Sequence, residues 1–249
     1  MSTYVLVHGM WHGGWCWRRV SPGLRYSGHA VYAPTLTGLG ERSHLRSLAE
    51  RPAGGQAGLR AGPIDLHVHI RDVVNVLEFE DLREVVLVGH SLGGTLAQAV
   101  AEEVPERLAH VVNIDGPRAV DGKAIKDLLP ELWAEFQERA KAEGDPAWVS
   151  PPRDWTFGVE DYADQQWLRS KLTPHPLATW ETLIRLRNPA AERIPRTYVV
   201  CTGGETPEAI AAHKKTWHAP GWQLETLATG HDPMITAPHE LVELLRVLG

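Results

Sequence analysis

The chain has 249 residues, of which 43% are hydrophobic and 22% charged, so it is long enough for one globular domain with a full apolar core. Its formal net charge is −6 with both signs interspersed, which argues against nucleic acid as a partner because phosphate backbones select clustered Lys and Arg. No apolar run approaches the roughly 18–20 residues of a membrane helix, and no signal-peptide pattern opens the sequence, so we expect a cytoplasmic protein that binds no membrane.

Short apolar runs alternate with helical patterns through the first half of the chain. In chain order the pattern predicts a strand at 4–7, a helix at 15–27, a strand at 30–33, a helix at 65–80, a strand at 85–88, a helix at 92–103 and a strand at 111–114. The stretch from Ser43 to Pro63 holds four Gly and two Pro and is predicted to be a surface loop. Such alternation is typical of a mostly parallel sheet with helices on both faces.

The alternation stops after Pro117. Residues 118–193 are rich in Trp and Pro, have a mostly helical pattern and contain no clear strand, so we predict a helical cap inserted between two strands of the sheet. Strand patterns return at 197–201 and 224–227, and a last helix is predicted at 238–248. We therefore interpret residues 1–249 as a single α/β domain that carries an inserted cap.

A serine between two glycines follows the predicted strand at 85–88, in the segment Gly89-His90-Ser91-Leu92-Gly93. On a sharp turn from strand to helix, a serine hydroxyl projects from the carboxyl edge of the sheet, and glycine fits two residues to either side. Ser91 is therefore the candidate nucleophile. We expect the side chain of His90 to point away from Ser91 and to have a structural role.

A serine hydroxyl needs a base that takes its proton. Of the thirteen histidines, His231 lies between the last predicted strand and the final helix, which is where such a base is expected. His239 comes later, but it falls inside the predicted helix. His231 is therefore the candidate base.

No metal site is indicated by the sequence. His67 and His69 lie two residues apart on a predicted helix, so they point in different directions, and we interpret them as part of a solvated helix face. Cys16 and Cys201 form no CxxC motif and are predicted to be buried thiols without a disulfide.

Two backbone N–H groups are candidates for binding a developing oxyanion. Attack on a carbonyl places negative charge on its oxygen, which positioned donors stabilise. The N–H of Leu92, directly after the nucleophile, is one expected donor. The loop at 8–11, after the first strand, is expected to supply the other, and the N–H of Met10 is the best candidate in it.

The motifs together resemble the plant methylesterase and hydroxynitrile lyase branch of the α/β-hydrolases and its bacterial esterase relatives. The matching segments are Val5–Gly9, Trp11–Trp17, Pro34–Gly40, Val88–Gly94, Tyr198–Thr202 and Gly230–Asp232. The resemblance implies the α/β-hydrolase fold, a serine hydrolase or lyase without metal or organic cofactor, and a helical cap over a mostly apolar pocket. Lyases of this branch carry a threonine and a lysine where this chain has Met10 and Asp232, which argues against cyanohydrin cleavage.

The carboxylate that orients the base is the open question at this stage. The family usually places an aspartate shortly after the strand of the Tyr198–Thr202 segment. In this chain the loop after that segment reads Gly203-Gly204-Glu205-Thr206-Pro207 and contains no aspartate. Glu205 is the nearest carboxylate in that loop. Asp115, at the end of the strand at 111–114, is the alternative, because some α/β-hydrolases take the acid from that strand. Both candidates stay open.

The expected substrate is a small molecule with an apolar or aromatic acyl group. Five of the ten Trp fall within the predicted cap, and three flank the loop of Met10. We expect hydrolysis of a carboxylic ester through an acyl-enzyme, with a methyl ester as one option. The alternatives are a lyase or decarboxylase on the same scaffold, and a ligand-binding protein with weak turnover. The oligomeric state stays open, with a homodimer as one option, and His175 is expected to be structural.

Overall fold

A computed structural model describes residues 1–46, 62–204, 206–217 and 221–249. The described residues form eight strands, which are β1 (Thr3–Val7), β2 (Ala30–Tyr32), β3 (Val85–His90), β4 (Leu108–Ile114), β5 (Trp148–Val149), β6 (His175–Pro176), β7 (Arg196–Cys201) and β8 (Trp222–Leu227). Six of them build one sheet in the order β2-β1-β3-β4-β7-β8, and every neighbouring pair is parallel. The predicted α/β fold with a parallel central sheet is confirmed.

Helices connect these strands. The α-helices are α1 (Ser21–Tyr26), α2 (Leu66–Phe79), α3 (Leu92–Glu103), α4 (Ile125–Leu128), α5 (Pro130–Ala142), α6 (Tyr162–Arg169), α7 (Ala178–Glu181), α8 (Pro189–Glu192), α9 (Pro207–Trp217), α10 (Pro233–Thr236) and α11 (Pro238–Leu248). Short 3-10 helices lie at Gly14–Arg19, Gly40–Leu45 and Pro105–Arg107. The single helix predicted at 15–27 is wrong, because Pro22 lies in the first turn of α1 and a proline cannot continue a preceding helix.

The central strands are buried on both faces. Tyr4 to Val7 of β1 and all six residues of β3 are inaccessible or nearly so. Successive side chains of a strand point to opposite faces, so burial without alternation means that both faces of the sheet are covered. The Tyr4 hydroxyl also donates a hydrogen bond to the Leu245 carbonyl of α11 at 2.8 Å, which ties the last helix to β1.

The segment between β4 and β7 contains α4 to α8 and a small antiparallel ladder. Trp148 pairs with Pro176 and Val149 with His175, so the prediction that residues 118–193 contain no strand is wrong in this detail. A two-residue strand that includes a proline leaves no alternating pattern to detect.

The predicted surface loop from Ser43 to Pro63 lies mostly outside the described residues. Its first three residues belong to the 3-10 helix Gly40–Leu45. The two cysteines are both buried and neither forms a disulfide, as predicted.

Candidate active site

Ser91 lies on a sharp turn between β3 and α3. Its backbone has φ 53° and ψ −126°, a strained conformation for a residue with a side chain. A Cβ atom on Gly89 would lie 2.0 Å from the Gly93 carbonyl oxygen, so a side chain cannot fit there. The turn is held by the Ser91 N–H, which donates to the Ile114 carbonyl of β4 at 2.8 Å.

Five of the residues singled out from the sequence line one cavity of about 490 Å³, namely Ser91, His231, Asp115, Met10 and Leu92. They come from the ends of β1, β3 and β4 and from the segment after β8. Parallel strands end at the same edge of their sheet, so residues far apart in the chain meet there.

His231 and Asp115 form the shortest polar contact of this group. Nδ1 of His231 lies 2.6 Å from Oδ2 of Asp115, and the other carboxylate oxygen accepts a hydrogen bond from the Cys201 N–H at 3.1 Å. With Nδ1 bound to a carboxylate, Nε2 of the neutral ring is free of a proton and can accept one. Glu205, the other candidate acid, lies outside the described residues.

The pKa of His231 is raised above its ordinary value. Burial lowers this pKa, but the hydrogen bond with Asp115 and the negative charges of Asp232 and Asp115 outweigh burial. The two partners keep some contact with solvent, since the His231 side chain is 34% exposed and that of Asp115 21%.

A base with a raised pKa fixes the pH dependence of the reaction. Only neutral His231 can take a proton, so we expect kcat/KM to fall as the pH drops through a pKa above the value of about 6.5 for an ordinary histidine. A pH profile of ester hydrolysis checks this expectation. An acid limb below that value would contradict it.

The Ser91 hydroxyl forms no hydrogen bond with His231 among the described residues. Catalytic hydrogen bonds are often long without substrate and shorten in the complex. Both side chains nevertheless face the same cavity, which leaves room for a substrate carbonyl beside them.

The loop after β1 lies directly against the nucleophile. A Cβ atom on Gly9 would lie 2.8 Å from Cβ of Ser91, so only glycine allows this approach. Met10 follows in the cavity wall, and Trp11 next to it has φ 62°. Met10 and Leu92 both line the cavity that contains Ser91, and their role as oxyanion donors stays a prediction.

His90 is buried, and its Nε2–H donates to the His231 carbonyl oxygen at 2.7 Å. Burial lowers the pKa of His90 to about 3, so its ring is neutral near neutral pH. His90 also lines the cavity, which the sequence did not predict, but its hydrogen bond holds the backbone of the candidate base.

Two further histidines, His69 and His175, are buried, and His239 is exposed. The solvated face predicted for His67 and His69 is wrong for His69, which is buried and donates through Nε2 to the Thr37 carbonyl at 3.0 Å. His175 is buried against the Thr179 hydroxyl at 3.0 Å, consistent with a structural role. His239 is exposed on α11.

A cluster of three groups has the spacing of metal ligands. Side-chain atoms of His90, His231 and Asp232 lie within 4.8 Å of one another. Each residue already has a hydrogen-bond partner, because His231 binds Asp115 and Asp232 binds His12. These hydrogen bonds link the cluster to its neighbours, and Oδ1 of Asp232, which has no hydrogen-bond partner among the described residues, lies 3.5 Å from Nε2 of His90.

Aromatic and aliphatic side chains form the remaining wall of the cavity. Besides Met10 and Leu92, the apolar residues that line it are Trp11, Pro117, Ile125, Leu129, Leu132, Phe136, Trp155, Phe157 and Trp180. Of the five Trp in the predicted cap, Trp155 and Trp180 are in this wall. Leu129, Leu132 and Phe136 are spaced as one face at the start of α5, a periodicity that could have identified them from the sequence.

No helix among the described residues is long and apolar enough to cross a membrane.

Comparison with known proteins places this site in a family. Residues 4–244 match the model of the alpha/beta hydrolase family. The chain is 34% identical to a carbendazim hydrolyzing esterase of Nocardioides sp. (strain SG-4G), over the full length of both chains. It is 28% identical to methylesterase 10 of Arabidopsis thaliana, covering all of this chain and 92% of that protein.

The fold comparison agrees with the sequence comparison. An extracellular alpha/beta-hydrolase from a Paenibacillus species aligns with a TM-score of 0.78 at 23% identity, over 100% of this chain and 99% of that one. At this identity the likeness shows the fold alone. Together with the family match over residues 4–244, these findings mean that the chain belongs to the alpha/beta hydrolase family.

Proposed function

We propose that the protein hydrolyses a carboxylic ester through an acyl-enzyme on Ser91. The observation that carries this proposal is the 2.6 Å contact between His231 and Asp115, in the same cavity as a serine on a strained strand-to-helix turn. Relatives over the full chain length are an esterase and a methylesterase. A lyase is not favoured, because none of these relatives carries that name.

The proposed reaction needs two half-steps. Nε2 of His231 takes the proton of the Ser91 hydroxyl as its oxygen attacks the ester carbonyl, and the backbone N–H groups of Met10 and Leu92 bind the oxyanion. The imidazolium then protonates the departing alcohol. In the second half-step His231 takes a proton from water as the water oxygen attacks the acyl carbonyl, and it then gives that proton to the Ser91 oxygen as the acid leaves. Asp115 holds the ring in the required tautomer and stabilises its cation throughout.

The cavity wall supports a neutral, apolar acyl group. Among the described residues that line it, Asp115 is the sole carboxylate and no Lys or Arg is present. Both ring nitrogens of His12, which also lines the cavity, are already bonded to Met10 and Asp232, so a charged acyl group would lose its hydration without gaining a partner. We propose that residues 118–193 serve as a cap, because Phe136, Trp155 and Trp180 supply much of this wall. The names of the relatives make a methyl ester the first choice.

A matched pair of substrates tests this assignment. We expect hydrolysis of methyl benzoate, and a kcat/KM at least about 100-fold lower for monomethyl terephthalate, whose extra carboxylate would enter the apolar wall. Carbendazim is a useful third compound. Equal rates for the two benzoate esters would contradict the proposed acyl site, and no turnover of any ester would favour the ligand-binding alternative.

A further inference from the structure

A second histidine–carboxylate pair, which is fully buried, lies next to the candidate catalytic residues. Nε2 of His12 is 3.0 Å from Oδ2 of Asp232, and the two side chains are 1% and 0% exposed. The mechanism proposed above uses neither group. Burying a carboxylate costs free energy unless the carboxylate is paired, so Asp232 depends on its contact with His12.

Both ring nitrogens of His12 face oxygen atoms that accept hydrogen bonds when the Asp232 carboxyl is ionised. Its Nδ1 lies 2.6 Å from the Met10 carbonyl oxygen, which can only accept, and its Nε2 faces the Asp232 carboxylate. Burial raises the pKa of Asp232, but the neighbouring His12, His90 and His231 outweigh it and lower that pKa, so the carboxyl is ionised. The His12 ring also stacks on Trp15 with centroids 5.4 Å apart, a favourable place for a cation.

The pair joins the two halves of the site. Asp232 follows His231 directly, and His12 is bonded to Met10, whose N–H is the proposed oxyanion donor. Trp11, which lies between Met10 and His12 in the chain, has φ 62°. This backbone conformation costs about 1–3 kcal/mol and persists only where the surrounding structure imposes it. Two further bonds hold this loop, from the Trp11 indole to Val149 at 2.9 Å and from the Thr173 N–H to Trp11 at 2.9 Å.

We propose that His12 and Asp232 form a buried ion pair with two effects. The pair holds the loop after β1, which contains Met10, against the segment after β8, which contains His231. Asp232 also places a second negative charge beside His231. This inference rests on the proposed ester hydrolysis. Both residues act through others, so they are positioning residues. In the sequence, Asp232 is distinguished only as a departure from the lyases of the resembling branch.

The charged groups around His231 determine whether the pKa of His231 rises or falls when the charge of Asp232 is removed. The ionisable groups near His231 and Asp232 come from separate elements: Asp115 after β4, His90 at the end of β3, and His12 and Cys16 after β1. His90 is neutral, and buried Cys16 is a thiol because burial and Asp232 raise its pKa. Removing the charge of Asp232 therefore lowers the pKa of His231, and the acid limb of kcat/KM moves to lower pH.

The test combines kinetics with a direct measurement of protonation. For Asp232→Asn we expect kcat on p-nitrophenyl acetate to fall about 10- to 100-fold, as when a group that orients a catalytic ligand is lost. The acid limb should also move to lower pH. The control Glu225→Gln removes an exposed carboxylate of β8 and should keep the wild-type rate and profile. In wild-type protein, ¹⁵N spectra of histidine should show both ring nitrogens of His12 protonated at neutral pH.

Two results would overturn the proposal. One is a folded Asp232→Asn variant with the wild-type kcat and acid limb, and the other is a His12 ring with a single proton. The spectrum needs no variant, so it decides the ion pair even if Asp232→Asn does not fold. If wild-type protein hydrolyses no ester, the proposed function fails, whereas the protonation state of His12 still tests the ion pair.

Discussion

Replacing Ser91 by alanine is expected to lower kcat for p-nitrophenyl acetate about 10⁴- to 10⁶-fold. The variant keeps the cavity and the His231–Asp115 pair but has no atom that can form the acyl-enzyme. Alanine is smaller than serine and the turn already accepts a side chain at this position, so we expect the thermal midpoint to stay near that of wild type. Steady-state release of p-nitrophenol measures the loss.

Ser170→Ala is the matched control, because Ser170 is exposed at the end of α6, away from the cavity lining. It should retain full activity. A Ser91→Ala variant that folds and turns over at a rate close to wild type would rule out the serine mechanism and direct attention to the ligand-binding alternative.

Replacing Asp115 by asparagine is expected to lower kcat about 10³- to 10⁴-fold. The carboxylate that accepts the Nδ1 proton of His231 at 2.6 Å becomes an amide, which holds the ring less firmly and stabilises the imidazolium less. The pKa of His231 falls as well, because its hydrogen bond with Asp115 raises that pKa in the wild type. The same assay across a pH series measures both effects.

Glu205→Gln is the informative comparison for this variant. Both residues are candidates from the sequence, and we expect Glu205→Gln to keep most of the wild-type kcat. The opposite ranking, with Glu205→Gln the more damaged enzyme, would assign the orienting role to Glu205 and contradict the role proposed for Asp115.

The fold could be predicted because its signals are local. The runs at 4–7, 85–88 and 111–114, which are apolar apart from Asn113, lie within β1, β3 and β4, and burial on both faces of the sheet favours apolar residues there. The turn at Ser91 was predictable for a similar reason, since crowding leaves room only for glycine at position 89.

The orienting acid could not be predicted from the sequence. Asp115 follows β4 and Glu205 follows β7, and these strands are neighbours in the sheet, so both loops end at the same edge. A sequence does not record which of two adjacent loops turns toward His231. The structure adds that the Cys201 N–H of β7 donates to Asp115, a contact across strands that no local pattern encodes.

The contact between His12 and Asp232 could not be predicted from the sequence for the same reason. The two residues lie 220 positions apart, and neither belongs to a spacing that signals an ion pair. His69 gave a misleading signal, because a histidine on a helix is polar in the sequence but here faces the buried carbonyl of Thr37.

Mass spectrometry of the quenched reaction tests the central claim most directly. Wild-type protein is mixed with p-nitrophenyl acetate, quenched in acid during the first turnover and digested. The account predicts one acetyl group on the peptide that contains Ser91, and none on that peptide in Ser91→Ala. Release of p-nitrophenol without an acetyl group on Ser91, or with the acetyl group on another residue, would contradict an acyl-enzyme at this site.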